Sequence, residues 1–175
     1  MSKIHTRKSI RLAGYNYAIE GFYFITICTH NMQSIFGHIE HGIVCLNQFG
    51  QIAYNAMLQT PQIRPNVVID EFIVMPNHLH VIVRIKECVV NQTPNSLCRT
   101  MFKSPSQTVG AIVRGYKGFV TKQIKELGFE KRVWHRNYYE EIIKDQQDYY
   151  NIVGYIRNNP SSASKPIIAE MISDE

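Results

Sequence analysis

The chain has 175 residues, 45% of them hydrophobic and 19% charged, a balance that suits one compact domain burying a core of its own. Collagen-like, disordered and disulfide-scaffold classes are excluded by the same figures. Nineteen Lys and Arg against fourteen Asp and Glu give +5 with the seven His neutral, and the sequence pI near 9.0 biases the chain toward polyanionic partners.

The basic charge is concentrated. Residues 99–136 hold Arg99, Lys103, Arg114, Lys117, Lys122, Lys125, Lys131, Arg132 and Arg136 against Glu126 and Glu130. Lys3, Arg7, Lys8 and Arg11 precede the first acid, Glu20. Two separated basic stretches could flank a phosphate backbone, or be solvated charge on a helix and an arm. Cys28, Cys45, Cys88 and Cys98 form no CxxC pair, and with no cleavable signal ahead of them reduced thiols in a bacterial cytoplasm are expected. The stretches free of charged residues, 21–39 and 41–63, are interrupted by Thr, His, Asn, Gln and Gly, so no membrane span is expected.

In chain order, residues 1–20 read as a basic arm. Phe22 to Thr29, FYFITICT, is β-branched and aromatic and predicts a largely buried strand; SIFGHIEHGIVCL predicts a small hairpin turning near Glu40 to Gly42. Phe49, Ile52, Ala53, Ala56 and Met57 recur at three- and four-residue steps, which predicts a helix capped by Asn47 and ending before Pro61. Asn66 to Met75 and His78 to Lys86 predict an antiparallel pair joined across Pro76 and Asn77, the latter read as a turn residue. Residues 87–105 read as a long loop beside the site. Val109, Ile112, Val113, Tyr116, Phe119, Val120 and Ile124 mark an amphipathic basic helix; a strand follows around Tyr138 to Ile143, then a helix stopped by Pro160, and 160–175 is a tail. Without the hairpin and the last helix the order is βαββαβ. A ferredoxin-like α+β domain spanning 1–175 is the economical topology, its antiparallel sheet carrying helices on one face, with a C-terminal helix added.

Two constellations carry chemistry. In MPNHLHVIV, His78 and His80 stand at i and i+2 of a strand and project to one face, which makes half of a divalent-metal site or simply two half-buried histidines. In the terminal helix, Tyr155 and Asn159 lie one turn apart on one face, placing a phenol beside an amide oxygen. Tyr149 and Tyr150 stand in the same helix, and helical geometry does not choose among the three.

Arg7 to Tyr17 (RKSIRLAGYNY), the YFITICT strand, Asp70 to His80 (DEFIVMPNHLH), Val113 to Ile124 (VRGYKGFVTKQI), Val133 to Ile143 (VWHRNYYEEII) and Tyr155 to Pro160 (YIRNNP) together resemble the REP-associated tyrosine transposases, within the HUH superfamily of single-strand DNA nucleases. The likeness covers nearly the whole chain. It implies that His78 and His80 are metal ligands for Mg2+ or Mn2+, with Asn159 where relatives carry a third ligand. Tyr155 would be the nucleophile that attacks a phosphate of single-stranded hairpin DNA, leaving a 5′-phosphotyrosine and a free 3′-hydroxyl. A phenol of pKa about 10 is mostly protonated at neutral pH, so a cation on the phosphate would supply much of the activation. Arg7, Lys8, Arg11, Arg114, Lys117, Lys122 and Arg136 would then hold DNA phosphates, with Tyr116, Tyr138 and Trp134 as stackers or core residues. The resemblance implies a monomer or a homodimer acting at the nucleoid. Two departures stand out: Glu141 where many relatives have His, and a tail without tryptophan. A relaxase-like nickase, a domesticated hairpin-DNA binder and a structural zinc site are the alternatives.

Overall fold

The computed structural model describes residues 20–86 and 108–160. The expected arm with Arg7, Lys8 and Arg11, the expected loop over 87–105 and the expected tail beyond Pro160 lie outside them. Alternation along the first strand, β1 (Gly21–Cys28), sorts the molecule into layers. Tyr23, Ile25 and Ile27 face a large apolar core, whereas Phe24 faces a smaller one with Ile82, Ile143 and Ile156.

Beside β1 runs β5 (His78–Ile85), which pairs in turn with β4 (Val67–Val74), while β6 (Tyr139–Ile143) pairs with the other edge of β1. The order is β4-β5-β1-β6 and every pairing is antiparallel, which is the ferredoxin-like arrangement. The hairpin β2 (Gly37–Glu40) and β3 (Ile43–Leu46) forms a separate two-stranded sheet. Its turn uses His41 and Gly42 at φ 50° and 77°, the positive-φ pair whose hand matches strand twist.

Helices α1 (Gln48–Ile63) and α2 (Val109–Glu126) cover the Tyr23 face, and α3 (Gln146–Asn158) packs on the Phe24 face. Asn47 caps α1 as expected, its Oδ1 accepting from Gly50 N at 3.0 Å. The helix runs past the expected stop, with Pro61 inside its final turn. A proline there forfeits one backbone bond, and the end is closed by Arg64 N to Thr60 O at 3.0 Å and Thr60 Oγ1 to Ala56 O at 3.0 Å. In α2, Thr108 accepts from Ala111 N at 3.2 Å, and every residue of the predicted apolar stripe is buried except Phe119, which is 40% exposed. No helix among the described residues is long and apolar enough to cross a membrane.

Candidate functional site

The site stands on the Phe24 face of the sheet, where β5 meets the last turn of α3. Strand alternation directs His78 and His80 to the same side, their ring centroids 4.6 Å apart. Both are buried, at 7% and 1% exposure, in a sheet where an unpaired imidazole is costly.

Each ring is held at Nδ1. His80 Nδ1 lies 2.8 Å from Thr26 Oγ1, on the residue directly opposite it in the β1–β5 register. His78 Nδ1 lies 2.7 Å from Asn77 Oδ1. Asn77 does more than turn the chain, therefore, and its own backbone is fixed because its carbonyl accepts from Thr29 N and from Thr29 Oγ1, each at 2.9 Å.

The outer nitrogens are less provided for. Nε2 of His80 meets the Tyr155 hydroxyl at 3.3 Å, and Nε2 of His78 is buried without a well-formed hydrogen bond among the described residues. Burial pushes the His78 pKa down to about 4, opposed in part by the nearby Asn159 amide. That amide is close, but it makes no well-formed hydrogen bond to Nε2. Burial holds His80 well below 6.5, and the neighbouring His78 adds to this. Both rings are thus neutral at pH 7, the form that ligates metals.

Tyr155 and Asn159 arrive together because α3 places them one turn apart. Phe24 stacks on His80 with centroids at 5.3 Å and meets Tyr155 edge-on at 6.1 Å, so one ring supports both. Burial raises the Tyr155 pKa above 10, while the Asn159 amide acts in the opposite direction. Asn159, 7% exposed, therefore adjoins both His78 and Tyr155. Tyr149 and Tyr150 are elsewhere: they line a cavity of about 440 Å3 with Phe22, Asp70, Ile143 and Lys144 at the other end of α3.

Two imidazole nitrogens and an amide oxygen fit a divalent cation, and the unpaired Nε2 of His78 is what such an ion would satisfy. Nitrogen donors suit Mn2+ better than Mg2+, which favours oxygen. Among the described residues, a second cluster of ligand-type side chains is His38, Glu40 and Cys45 on the β2–β3 hairpin, with His38 and Glu40 exposed.

The basic residues are divided. Arg114 and Lys122 are exposed on α2, across the sheet from the histidine pair, and Lys122 Nζ lies 4.0 Å from Glu126. Lys117 does not present its ammonium outward as expected: Nζ donates to His135 O at 2.9 Å and Asn137 O at 2.8 Å, and burial lowers its pKa to about 8. Those bonds fix the segment that enters β6. Arg136, exposed, lies on that segment, which runs beside the His78 end of β1 through His135 N to Cys28 O at 2.9 Å. Trp134 and Tyr116 are core residues, each 5% exposed, with Trp134 Nε1 bonded to Lys117 O and Tyr116 Oη to Ala53 O. Tyr138 is half-buried, with the Lys117 ammonium 5.9 Å from its ring centre. Glu141 accepts from the Tyr139 hydroxyl at 3.2 Å.

Thr26 and Asn77, which hold the two rings at Nδ1, are not among the site residues that the sequence predicts. Thr26 becomes visible only through strand register, whereas Asn77 had a signal in its position immediately before the first histidine.

The sequence matches no family model. It is 47% identical over 161 residues to an uncharacterized protein of Haemophilus influenzae, covering 90% of this chain and 89% of that one. Among solved structures it is similar to a REP-associated tyrosine transposase bound to a REP hairpin. That likeness has a TM-score of 0.59, covers 88% of this chain and 75% of that one, and has 21% sequence identity.

Proposed function

We propose that this chain, which belongs to one family with the Haemophilus influenzae protein and has the fold of a REP-associated tyrosine transposase, cleaves and rejoins single-stranded DNA beside hairpins, with Tyr155 as nucleophile. The observation that carries this reading is the Tyr155 hydroxyl 3.3 Å from Nε2 of His80, next to the unpaired Nε2 of His78.

Held by His78, His80 and Asn159, Mg2+ or Mn2+ would polarise the scissile phosphate and offset the charge developing on it. The protein's own part begins with a competition. With its pKa raised, Tyr155 carries its proton at neutral pH, and that O–H is placed to donate to Nε2 of His80. The Nε2 lone pair cannot serve a proton donor and a cation at once, so with a cation held by His80 the phenol would be free to face phosphorus. Attack forms the tyrosine oxygen–phosphorus bond and breaks the bond to the 3′-oxygen, which receives the proton that the phenol gives up. One phosphodiester replaces another, so the step is reversible by a 3′-hydroxyl and supports strand transfer as well as cleavage. Phe24 and the apolar floor of Ile82, Ile143 and Ile156 keep water away from the ring side of the site.

On this reading Arg136 is the described cation best placed to meet DNA near the histidines, and Arg114 and Lys122 would meet only a duplex that reaches across to α2. The test is a denaturing gel of a hairpin-bearing single-stranded oligonucleotide incubated with Mn2+. A covalent protein–DNA adduct is expected from the wild type and from neither Tyr155→Phe nor His78→Ala. An adduct with Tyr155→Phe would overturn the nucleophile, and binding without nicking by every protein would make this a hairpin binder.

A further inference from the structure

The site reading leaves open how two neutral imidazoles come to aim their lone pairs at one point. A neutral imidazole carries its hydrogen on either nitrogen, and only the bare nitrogen can ligate. In water a free histidine side chain prefers to carry it on Nε2, the wrong nitrogen for this site. We propose that Asn77 and Thr26 are positioning residues that hold His78 and His80 as the Nδ1–H tautomer, so that both Nε2 lone pairs face a single divalent cation. The proposal rests on the metal reading above and adds to it the two side chains on which cation affinity depends.

His78 has two alternatives, set by which way the Asn77 amide faces. Asn77 Oδ1 carries no hydrogen, so a contact of 2.7 Å to Nδ1 requires the hydrogen to be on the ring. Were the amide turned over, its NH2 would donate to Nδ1 and Nε2 would become an N–H donor. That donor would make no well-formed hydrogen bond among the described residues, and it would present a hydrogen rather than a lone pair to an approaching cation. The orientation observed leaves instead an unpaired acceptor, which a cation satisfies. Asn77 is also held in place, since both of its carbonyl's bonds come from Thr29, which is 1% exposed.

For His80 the strand register does the same work. Thr26 stands directly across from it, and a hydroxyl can accept from Nδ1–H at 2.8 Å. On the opposite nitrogen the Tyr155 hydroxyl at 3.3 Å can donate to a bare Nε2. The chain of bonds then runs in one direction, from Tyr155 through His80 to Thr26. Partners of this kind on the far nitrogen of a metal-ligating histidine fix its tautomer and orientation, and losing one typically costs 10- to 100-fold in metal affinity.

The tautomers can be read directly from two-bond 1H–15N correlation spectra of the metal-free protein, in which protonated and bare ring nitrogens are distinct. Both rings are expected to be protonated at Nδ1. Asn77→Ala should shift His78 toward Nε2–H and weaken Mn2+ binding, measured by calorimetry, by about 10- to 100-fold. Asn77→Asp, which keeps an acceptor, should restore the tautomer and bind Mn2+ at least as well as the wild type. Thr26→Val should do for His80 what Asn77→Ala does for His78, with Thr26→Ser as the rescue. A wild-type spectrum showing Nε2–H on His78, or wild-type Mn2+ affinity in Asn77→Ala, would overturn the proposal. Failure of the metal reading is separable: it would appear as Mn2+ affinity unchanged by His78→Ala, whatever the tautomers.

Discussion

Acidifying the metal-free protein should destabilise it through His78. The group's pKa is about 4 in the folded chain against 6.5 for an unperturbed histidine, because folding removes the ring from water. Between those two values the unfolded chain takes up a proton that the folded chain refuses, so protonation draws the equilibrium toward the unfolded state. Stability therefore falls as pH drops from about 6.5 toward 4, is unaffected by this group well above 6.5, and levels off below 4. Two and a half decades of proton affinity at about 1.4 kcal/mol each amount to about 3–4 kcal/mol. That is a large part of the roughly 5–15 kcal/mol that holds a typical domain together. His80 contributes in the same direction. The assay is urea denaturation followed by circular dichroism, with a chelator present, at steps from pH 7.5 to 4, for the wild type and His78→Gln. The two stability curves should converge with acidification as the wild type loses the His78 contribution. Curves that stay parallel over the whole range would refute the claim that His78 is buried and neutral.

Two further outcomes follow from positions already described. A Cβ at Gly50 would sit 2.1 Å from Phe36 O and 2.9 Å from Leu46 Cδ2, so Gly50→Ala must push α1 off the base of the hairpin. Overpacking of this kind costs about 1–3 kcal/mol, and a melting temperature at or above that of the wild type would contradict the close approach. In hairpin-DNA binding measured over a salt series, Arg136→Ala should flatten the slope of log affinity against log salt by about one, as expected for a lost phosphate contact. Lys117→Met should leave that slope unchanged, because its ammonium is occupied by two carbonyls; a flattened slope would show that Lys117 reaches DNA after all.

Much of this architecture could be read from the chain because periodicity and geometry coincide. FYFITIC, with aromatic and β-branched residues throughout, is the strand buried on both faces, and the His-x-His spacing on a strand can only project one way. Tyr155 and Asn159 share a helical face by the same logic. Other properties are not encoded in spacing. Pro61 predicts a helix stop, yet in a final turn it forfeits a single bond. The charge run over 99–136 treated nine cations as equivalent, although the fold places Arg114 and Lys122 on the far layer and turns Lys117 inward. Helical spacing leaves Tyr149, Tyr150 and Tyr155 equivalent and the resemblance alone singles out Tyr155; the position of α3 against β5 is what brings that phenol to His80.

The helix that carries Tyr155 is anchored differently from the rest of the molecule. α2 contributes seven buried side chains, whereas α3 contributes Ile156 together with the partly buried Tyr149, Ile152, Val153 and Tyr155, and is tied to β4 by the exposed Arg157 and the half-buried Glu71, 2.7 Å apart. Surface ion pairs of this sort add at most about 1 kcal/mol. Regions with little buried apolar surface open at a fraction of the global unfolding free energy, so α3 is the part of the fold that can lift away while the sheet stays intact. On the proposed reading, a nucleophile mounted on such an arm could leave the histidine pair with its covalent cargo and return to it, at the cost of withdrawing Ile156 and its partly buried neighbours from a small apolar cluster.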